Sequence, residues 1–497
     1  MLGNLKFSPH AARVPGTIGV MRLSLLPNLT RASRLGVVLG ALAAFFAVLA
    51  SGAPARAASE WVVERIDGAS GDVGRHASLK IDRDGAYHVS YRDVAADNLL
   101  YAAKSGGAWV VETVDATPED EIRFTSLAID STGVVHIAYK EGLFDNLKHA
   151  WKTAGAWQRE NADASVSNVG SYPALAVDPA NNLHAAYYDL NPDDLLYACK
   201  SGGVWTHEVV DASPTYVGFH NSIAVDPDGN VLVAYHEGTP GQLRFARKSQ
   251  GAWTLEMVDA DTSVSGLYTS IALDAQANPS ISYWDFTNGN LKFATKSGEA
   301  WDVQTIDASP NDVGGFTSLV IDGAGEPHVS YYDWTAGDVL YTRKSGGVWL
   351  MEVVDGASSD VGSYASMDFD AAGRPHICYY DLTNGDLLIA SLATATGVGA
   401  PDASSLYLIA YPNPVSTGSV SVSFRAIAGS EAQLAIYDVT GRLVRSLARG
   451  AAGAGSGAGT AHWDTRDSAG RRVSPGTYFL RLDANGKLET QRLVVVR

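Results

Sequence analysis

The sequence predicts an all-β chain: a seven-bladed β-propeller followed by a small Ig-like β-sandwich. Tryptophans stand at 61, 109, 157, 205, 253, 301 and 349, one every 48 residues without insertion or deletion. A fixed period of this length signals stacked or radial architecture. Each interval holds four short β-rich runs separated by turn residues and no helical periodicity. Beyond residue 404 the period stops and a different strand pattern runs to the end.

Residues 1–57 read as an N-terminal extension and signal peptide. Arg31 and Arg34 precede an apolar run from Leu35 to Ala50, and Ala55-Arg56-Ala57 follows as a cleavage signal. Met21 is a second candidate start. The apolar run is short for a membrane span, so the expectation is an exported protein with no transmembrane span after cleavage.

Residues 58–392 are assigned to the propeller. In the sixth unit the four runs are WDVQTID, TSLVID, PHVSYYD and DVLYTRK. Between the second and third runs most units carry Asp-x-x-Gly, as in Asp82 to Gly85, which suits a type I turn. The longest link leads from the tryptophan run to the small-residue run. It reads as the outer-to-inner crossing between blades, which makes the tryptophan strand outermost. The seventh unit lacks its own tryptophan strand, and Trp61 to Asp67 supplies one. The N-terminal strand is therefore expected to close the last blade and leave no open sheet edge.

The whole chain carries a net charge of −17, with +6 in residues 1–57 and +4 in 402–497, leaving the repeats near −27. A body this acidic repels phosphate backbones, so nucleic acid is not an expected partner. The two cysteines, Cys199 and Cys378, occupy non-equivalent positions and are not expected to pair.

Some residue types recur in every unit. Tyr91, Tyr139, Tyr187, Tyr235, Tyr283, Tyr331 and Tyr379 are each followed two residues later by an acid, from Asp93 to Asp381. Such tyrosines are expected to pack between blades with satisfied hydroxyls, and the acids to cap the following turn. Five units begin the third run with His88, His136, His184, His328 or His376, expected to hydrogen-bond within the blade. An aromatic or histidine precedes each inner strand: His76, Phe124, Tyr172, His220, Tyr268, Phe316 and Tyr364. The acids and these aromatics emerge on one face, around the channel mouth. Asp381-Leu-Thr-Asn384-Gly-Asp386 brings oxygen atoms close together without the full EF-hand pattern, so calcium is a weak suggestion and no other cofactor is expected.

A single binding site requires the symmetry to break. The residue between tyrosine and acid varies: Arg92, Lys140, Tyr188, His236, Trp284, Tyr332 and Tyr380. These are the candidate ligand-binding residues, a basic sector facing an aromatic one, with Arg75 and Arg123 adding positive charge. A ligand with a carboxylate and a sugar face suits that arrangement. Nucleophile elbows, zinc-protease helices, P-loops, metal-spaced Cys/His sets and sialidase-type Asp-boxes are missing from the sequence. With an acid in every blade, no pair stands out for glycoside hydrolysis.

Residues 393–404 form a small-residue linker, and 405–497 a separate sandwich. Here Tyr411-Pro412-Asn413-Pro414, Ile436-Tyr437-Asp438-Val439-Thr440-Gly441-Arg442, Trp463-Asp464-Thr465-Arg466-Asp467 and Pro475-Gly476-Thr477-Tyr478-Phe479-Leu480-Arg481-Leu482 follow in order. This order resembles the C-terminal sorting domain of the type IX secretion system. It is also similar to the related Ig-like domain of flagellar hook-capping proteins. The resemblance implies a bacterium with an outer membrane, export machinery that reads the C-terminal domain, and release or attachment at the cell surface. The Gly/Ala-rich loop at 450–459 departs from the pattern and leaves open a purely structural module.

Together these readings give a secreted or surface-attached, non-catalytic binding protein whose partner is a glycan or a surface protein, the glycan contacting the channel-mouth face. The alternatives are a propeller glycosidase or lyase acting on extracellular polysaccharide, and a structural adhesion scaffold.

Overall fold

The computed structural model describes residues 61–393 and 407–495, except 69–70, 117–121, 143–145, 165–167, 240, 261–263, 357–359, 412–414, 416–419, 427–430, 452–457 and 485–486. The leader, most of the linker and Pro412-Asn413-Pro414 lie outside the described residues.

The first strands set the pattern for the rest. β1 (Trp61–Asp67) is followed by β2 (Val73–Ile81), β3 (Tyr87–Asp93), β4 (Asn98–Lys104) and β5 (Val110–Asp115). β2 to β5 form one antiparallel sheet in sequence order, and five further sheets repeat it. The seventh sheet has the order β1, Asp386–Leu392, Pro375–Asp381, Val361–Phe369. The N-terminal strand thus closes the ring, as the spare tryptophan run predicts. β2 and its equivalents are innermost, and the tryptophan strands are outermost.

Three repeated devices hold neighbouring blades together. At the inner strands, Ser78 Oγ accepts the Leu127 amide at 3.0 Å, and Ser366 Oγ accepts the Leu79 amide at 3.0 Å across the closure. A bulkier residue there would separate the strands, which explains the small-residue run. Midway, the Tyr91 hydroxyl donates to Asp67 at 2.7 Å, and Tyr235 to Asp211 at 2.7 Å. Burial, then the paired carboxylates, push these phenols well above their ordinary pKa. At the rim, Trp157 Nε1 donates to Glu112 at 2.9 Å and Lys152 Nζ reaches the same carboxylate at 2.7 Å. Trp157 also packs edge-on to Tyr101 of the preceding blade at 5.0 Å. The 48-residue tryptophan is therefore an inter-blade clasp.

The remaining repeated residues act locally. Asp82 Oδ1 accepts the amides of Asp84 and Ala86, and Gly85 closes the turn with φ +82°. His88 donates to Asp82 at 3.2 Å and accepts from the Tyr101 hydroxyl at 2.6 Å, which assigns its tautomer. Asp93 and Asp381 cap the turns that follow them. Both cysteines are free.

The C-terminal domain has a three-stranded sheet (Tyr407–Tyr411, Val420–Arg425, Ala458–Trp463) and a four-stranded one (Leu443–Ala451, Glu431–Asp438, Gly476–Ala484, Lys487–Val495). Alternate residues Tyr478, Leu480, Leu482 and Ala484 face the core around the fully buried Trp463, as a two-layer sandwich requires. Among the described residues no helix is long and apolar enough to cross a membrane.

Candidate functional site

One face of the propeller is built from the loops that follow β3-type strands and those that lead into β2-type strands. The two loop sets are joined by backbone bonds such as Val94 N to Asp72 O at 2.9 Å and Trp334 N to Asp312 O at 2.8 Å. All seven candidate residues between tyrosine and acid lie on this face, and all are only 1–8% exposed. Most of them brace one loop against another. Trp284 Nε1 donates to Asp312 at 3.0 Å, the Tyr332 hydroxyl to Asp360, and the Tyr380 hydroxyl to Asp72 at 2.7 Å. Lys140 Nζ bonds Asn168 at 2.7 Å and Ser171 at 3.0 Å, and His236 Nδ1 donates to the Ser265 carbonyl at 2.7 Å. Arg92 pairs with Asp97 at 2.6 Å and Tyr188 with Asp193. Burial holds the His236 imidazole down at about 4 and, with Asp72, pushes the Tyr380 phenol up to about 12. The structure thus brings the set into one ring at the mouth, and places nearly all of its surface inside the wall.

The exposed aromatic surface comes two residues later. Phe286 is 55% exposed and Trp334 is 40% exposed, each directly after its blade's acid. Trp334 stacks against Trp284 at 5.8 Å with 29° between the planes, and Trp284 meets Phe286 edge-on at 5.0 Å. Trp334 has room because residue 315 is glycine; a Cβ there would overlap the indole. The other blades carry Arg75, Arg123, Ser171, Phe219, Leu267 and Ser363 at that position. Blades five and six therefore present a stepped aromatic platform. Across the channel, blades one and two present Arg75 and the exposed Arg123. Arg75 pairs with Asp72 at 3.2 Å and lies 5.3 Å from the Tyr380 ring centroid.

The platform continues into the channel. Phe316 lies 5.5 Å and Tyr268 6.4 Å from Trp334. Both belong to a closed circle of His76, Phe124, Tyr172, His220, Tyr268, Phe316 and Tyr364, whose neighbouring centroids are 4.2–4.7 Å apart. All seven have positive φ, between 48° and 57°. Bulky residues are rarely held in this region, at a cost of about 1–3 kcal/mol each. The cause is a register shift in every inner strand, such as that between Arg75 and Ser78, which turns one side chain into the channel. A cavity of about 220 Å³ lies on the axis at this level. Burial, followed by the positive charges of Arg92, Arg75 and Arg123, pushes His76 down to about 3. Burial does the same to His220.

Among the described residues no group of three or more His, Cys, Asp or Glu side chains is disposed to hold a metal. The Asp381 carboxylate takes bonds from Thr383 N, Asn384 N and the Asn384 side chain, all within its own turn. In blade six, burial and the neighbouring Asp333 and Asp355 push Asp338 up to about 7. It packs against the backbone of Gly356, at the end of the outer strand.

Residues 413–487 match the FlgD Ig-like domain. That match lies within the C-terminal sandwich and spans its strands from Val420 to Ala484. No curated protein matches the chain. Among solved structures, the chain is similar to PorZ of Porphyromonas gingivalis, a bacterial surface component of the type-IX secretion system. The identity is 14% and the TM-score 0.43, over 84% of this chain and 59% of that protein. It is also similar to the polysaccharide lyase Uly1, with 9% identity and TM-score 0.43, over 64% of this chain and 90% of that one. A third is the intramolecular trans-sialidase of Ruminococcus gnavus, with 12% identity and TM-score 0.40, over 66% and 96%.

The sequence does contain a signal for the platform. Four of the eleven tryptophans fall outside the 48-residue register, and two of these, Trp284 and Trp334, meet on adjacent blades. The glycine at 315, where other blades carry a side chain, marks the same place.

Proposed function

We infer that this is an exported, non-catalytic glycan-binding protein of a bacterium with an outer membrane, and that the glycan lies across the channel mouth. The observation that carries this reading is the exposed Trp334–Phe286 step, seated by Gly315 and continuous with the aromatic circle of the channel. Flat apolar surface beside fixed polar groups is what a hydroxylated ring requires: its C–H face packs on the aromatic, and its hydroxyls find partners at the edge. In this reading Arg92, Lys140, Tyr188, His236, Trp284, Tyr332 and Tyr380 set the positions of the mouth loops and offer the ligand their small exposed edges. Export is supported by the leader's pattern. The C-terminal domain is assigned as the export tag, which the order of its four motifs supports.

The test is depletion of the protein from solution by insoluble and gel-embedded polysaccharides, comparing wild type with Trp334→Ala and Phe286→Ala. The proposal expects retention of the wild type on at least one polysaccharide and loss of retention in both variants, with melting temperatures unchanged. Equal retention of all three proteins would move the contact surface elsewhere. Shortening of the polysaccharide during incubation would make the protein an enzyme.

A further inference from the structure

One outer strand departs from the other six. In blade six, Val348–Asp355 carries Leu350 and Met351 directly after its tryptophan, and they are only 2% and 6% exposed. At the same two positions blades two and three carry Gln158-Arg159 and Thr206-His207, all exposed. Hydrophobicity alone does not cause the burial, because the valine pairs Val62-Val63 and Val110-Val111 of blades seven and one stay 41–58% exposed. Trp349 is buried as well, whereas the other six tryptophans of the register are half-buried. The rim charge changes at the same place. Trp157 is clasped by Glu112, but the residue equivalent to Glu112 for Trp349 is Gln304. A neutral amide costs less to cover than a carboxylate.

The cover is the C-terminal domain. Residues 59–497 form one compact unit, and all three strands of the smaller sheet, Tyr407–Tyr411, Val420–Arg425 and Ala458–Trp463, lie against Val348–Asp355. The sandwich closes its own core around Trp463 with residues from 408 to 495 alone. The contact with blade six is therefore a second interface, not the completion of the domain. Domains joined by a short linker move relative to each other unless an apolar surface holds them. Leu350 and Met351 supply such a surface. Trp334 and Phe286 remain exposed with the domain in place, so seat and mouth are separate surfaces.

We propose that the outer strand of blade six is a docking seat, and that its occupant is the C-terminal domain of the same chain. The domain is a fixed rider at the propeller rim rather than a tag swinging on residues 393–404. The mouth stays open while the domain is docked. Detachment of the domain uncovers Trp349, Leu350 and Met351 together. The seat stands whether or not the mouth binds a glycan.

Small-angle scattering and elastase digestion are run on the full chain and on the double variant Leu350→Thr/Met351→His, which installs the residues of blade three. Leu255→His, at the position of blade four equivalent to Met351, is the control. Elastase accepts small residues, and 393–404 is rich in them. The expected result is a larger radius of gyration in the double variant, with circular dichroism unchanged. Its linker is cut at least about tenfold faster, because cleavage tracks the population of the open form. Leu255→His matches wild type in both measurements. Unchanged scattering or unchanged linker cleavage in the double variant overturns the seat. Wild-type scattering is a test that needs no variant: a curve that requires a mobile C-terminal domain also overturns it. A wild-type dimer that the double variant separates would place the seat between two copies, against the assignment within one chain.

Discussion

Trp334 lies directly over Gly315, so closely that the smallest side chain at 315 would occupy part of the indole's position. One glycine thus converts a repeated wall position into a seat for an exposed aromatic. The first prediction follows. Gly315→Ser places there the residue that blades three and seven carry at 171 and 363. It should displace Trp334 and weaken polysaccharide retention about tenfold; position 315 is buried beneath the indole, so the expected stability cost is ~1 kcal/mol. Retention assays beside thermal melts check both halves.

Tyr235 donates to Asp211 inside the wall between blades. Tyr235→Phe keeps the ring but leaves one oxygen of a buried carboxylate short of a donor. The expected cost is about 1–3 kcal/mol of stability, read from urea denaturation. An unchanged midpoint would show that water replaces the phenol.

His220 sits in the channel with its pKa lowered from 6.5 to about 3. As pH falls below 6.5 the unfolded chain takes up this proton while the folded chain resists it. Stability is therefore lost between pH 6.5 and about 3. His220→Phe, the residue of blades two and six, removes that contribution. Thermal melts from pH 7 to pH 4 should fall less steeply in the variant, with His76 and His236 keeping part of the slope. Identical slopes would place the protonating group elsewhere.

Asp338 has the opposite linkage. Its folded pKa is raised from 3.8 to about 7 by burial, Asp333 and Asp355, so the native state is favoured while it is protonated and loses stability as pH rises through about 7. Asp338→Asn should match wild type at pH 4 and melt several degrees higher at pH 8. A variant less stable at pH 8 would mean that the ionised carboxylate is held by a favourable partner.

The architecture was legible because repetition averages out local ambiguity. One tryptophan strand is hard to read, whereas seven at a fixed interval, with a spare at Trp61, fix both blade number and closure. The roles of Tyr91 and Asp93 were legible for the same reason: a residue required by every blade has a structural task. The site was less legible. Tyr332 and Tyr380 alternate with Tyr331 and Tyr379 along the strand, which suggests an open face. In a propeller both faces of such a strand are covered by neighbouring blades, and every residue of Pro327–Asp333 is buried. The aromatic circle depends on a bulge at His76 and its equivalents, and an extra residue in one strand leaves no mark on hydrophobic alternation. Trp334 could have been found from its position off the register, but only its seat at Gly315 explains why it stays exposed.

The most direct test of the central claim is a glycan array probed with the full chain, with and without a chelator, beside Trp334→Ala. Selective glycan binding that survives the chelator and disappears in the variant is the expected result. A blank array from folded protein, or equal signals from both proteins, would contradict it.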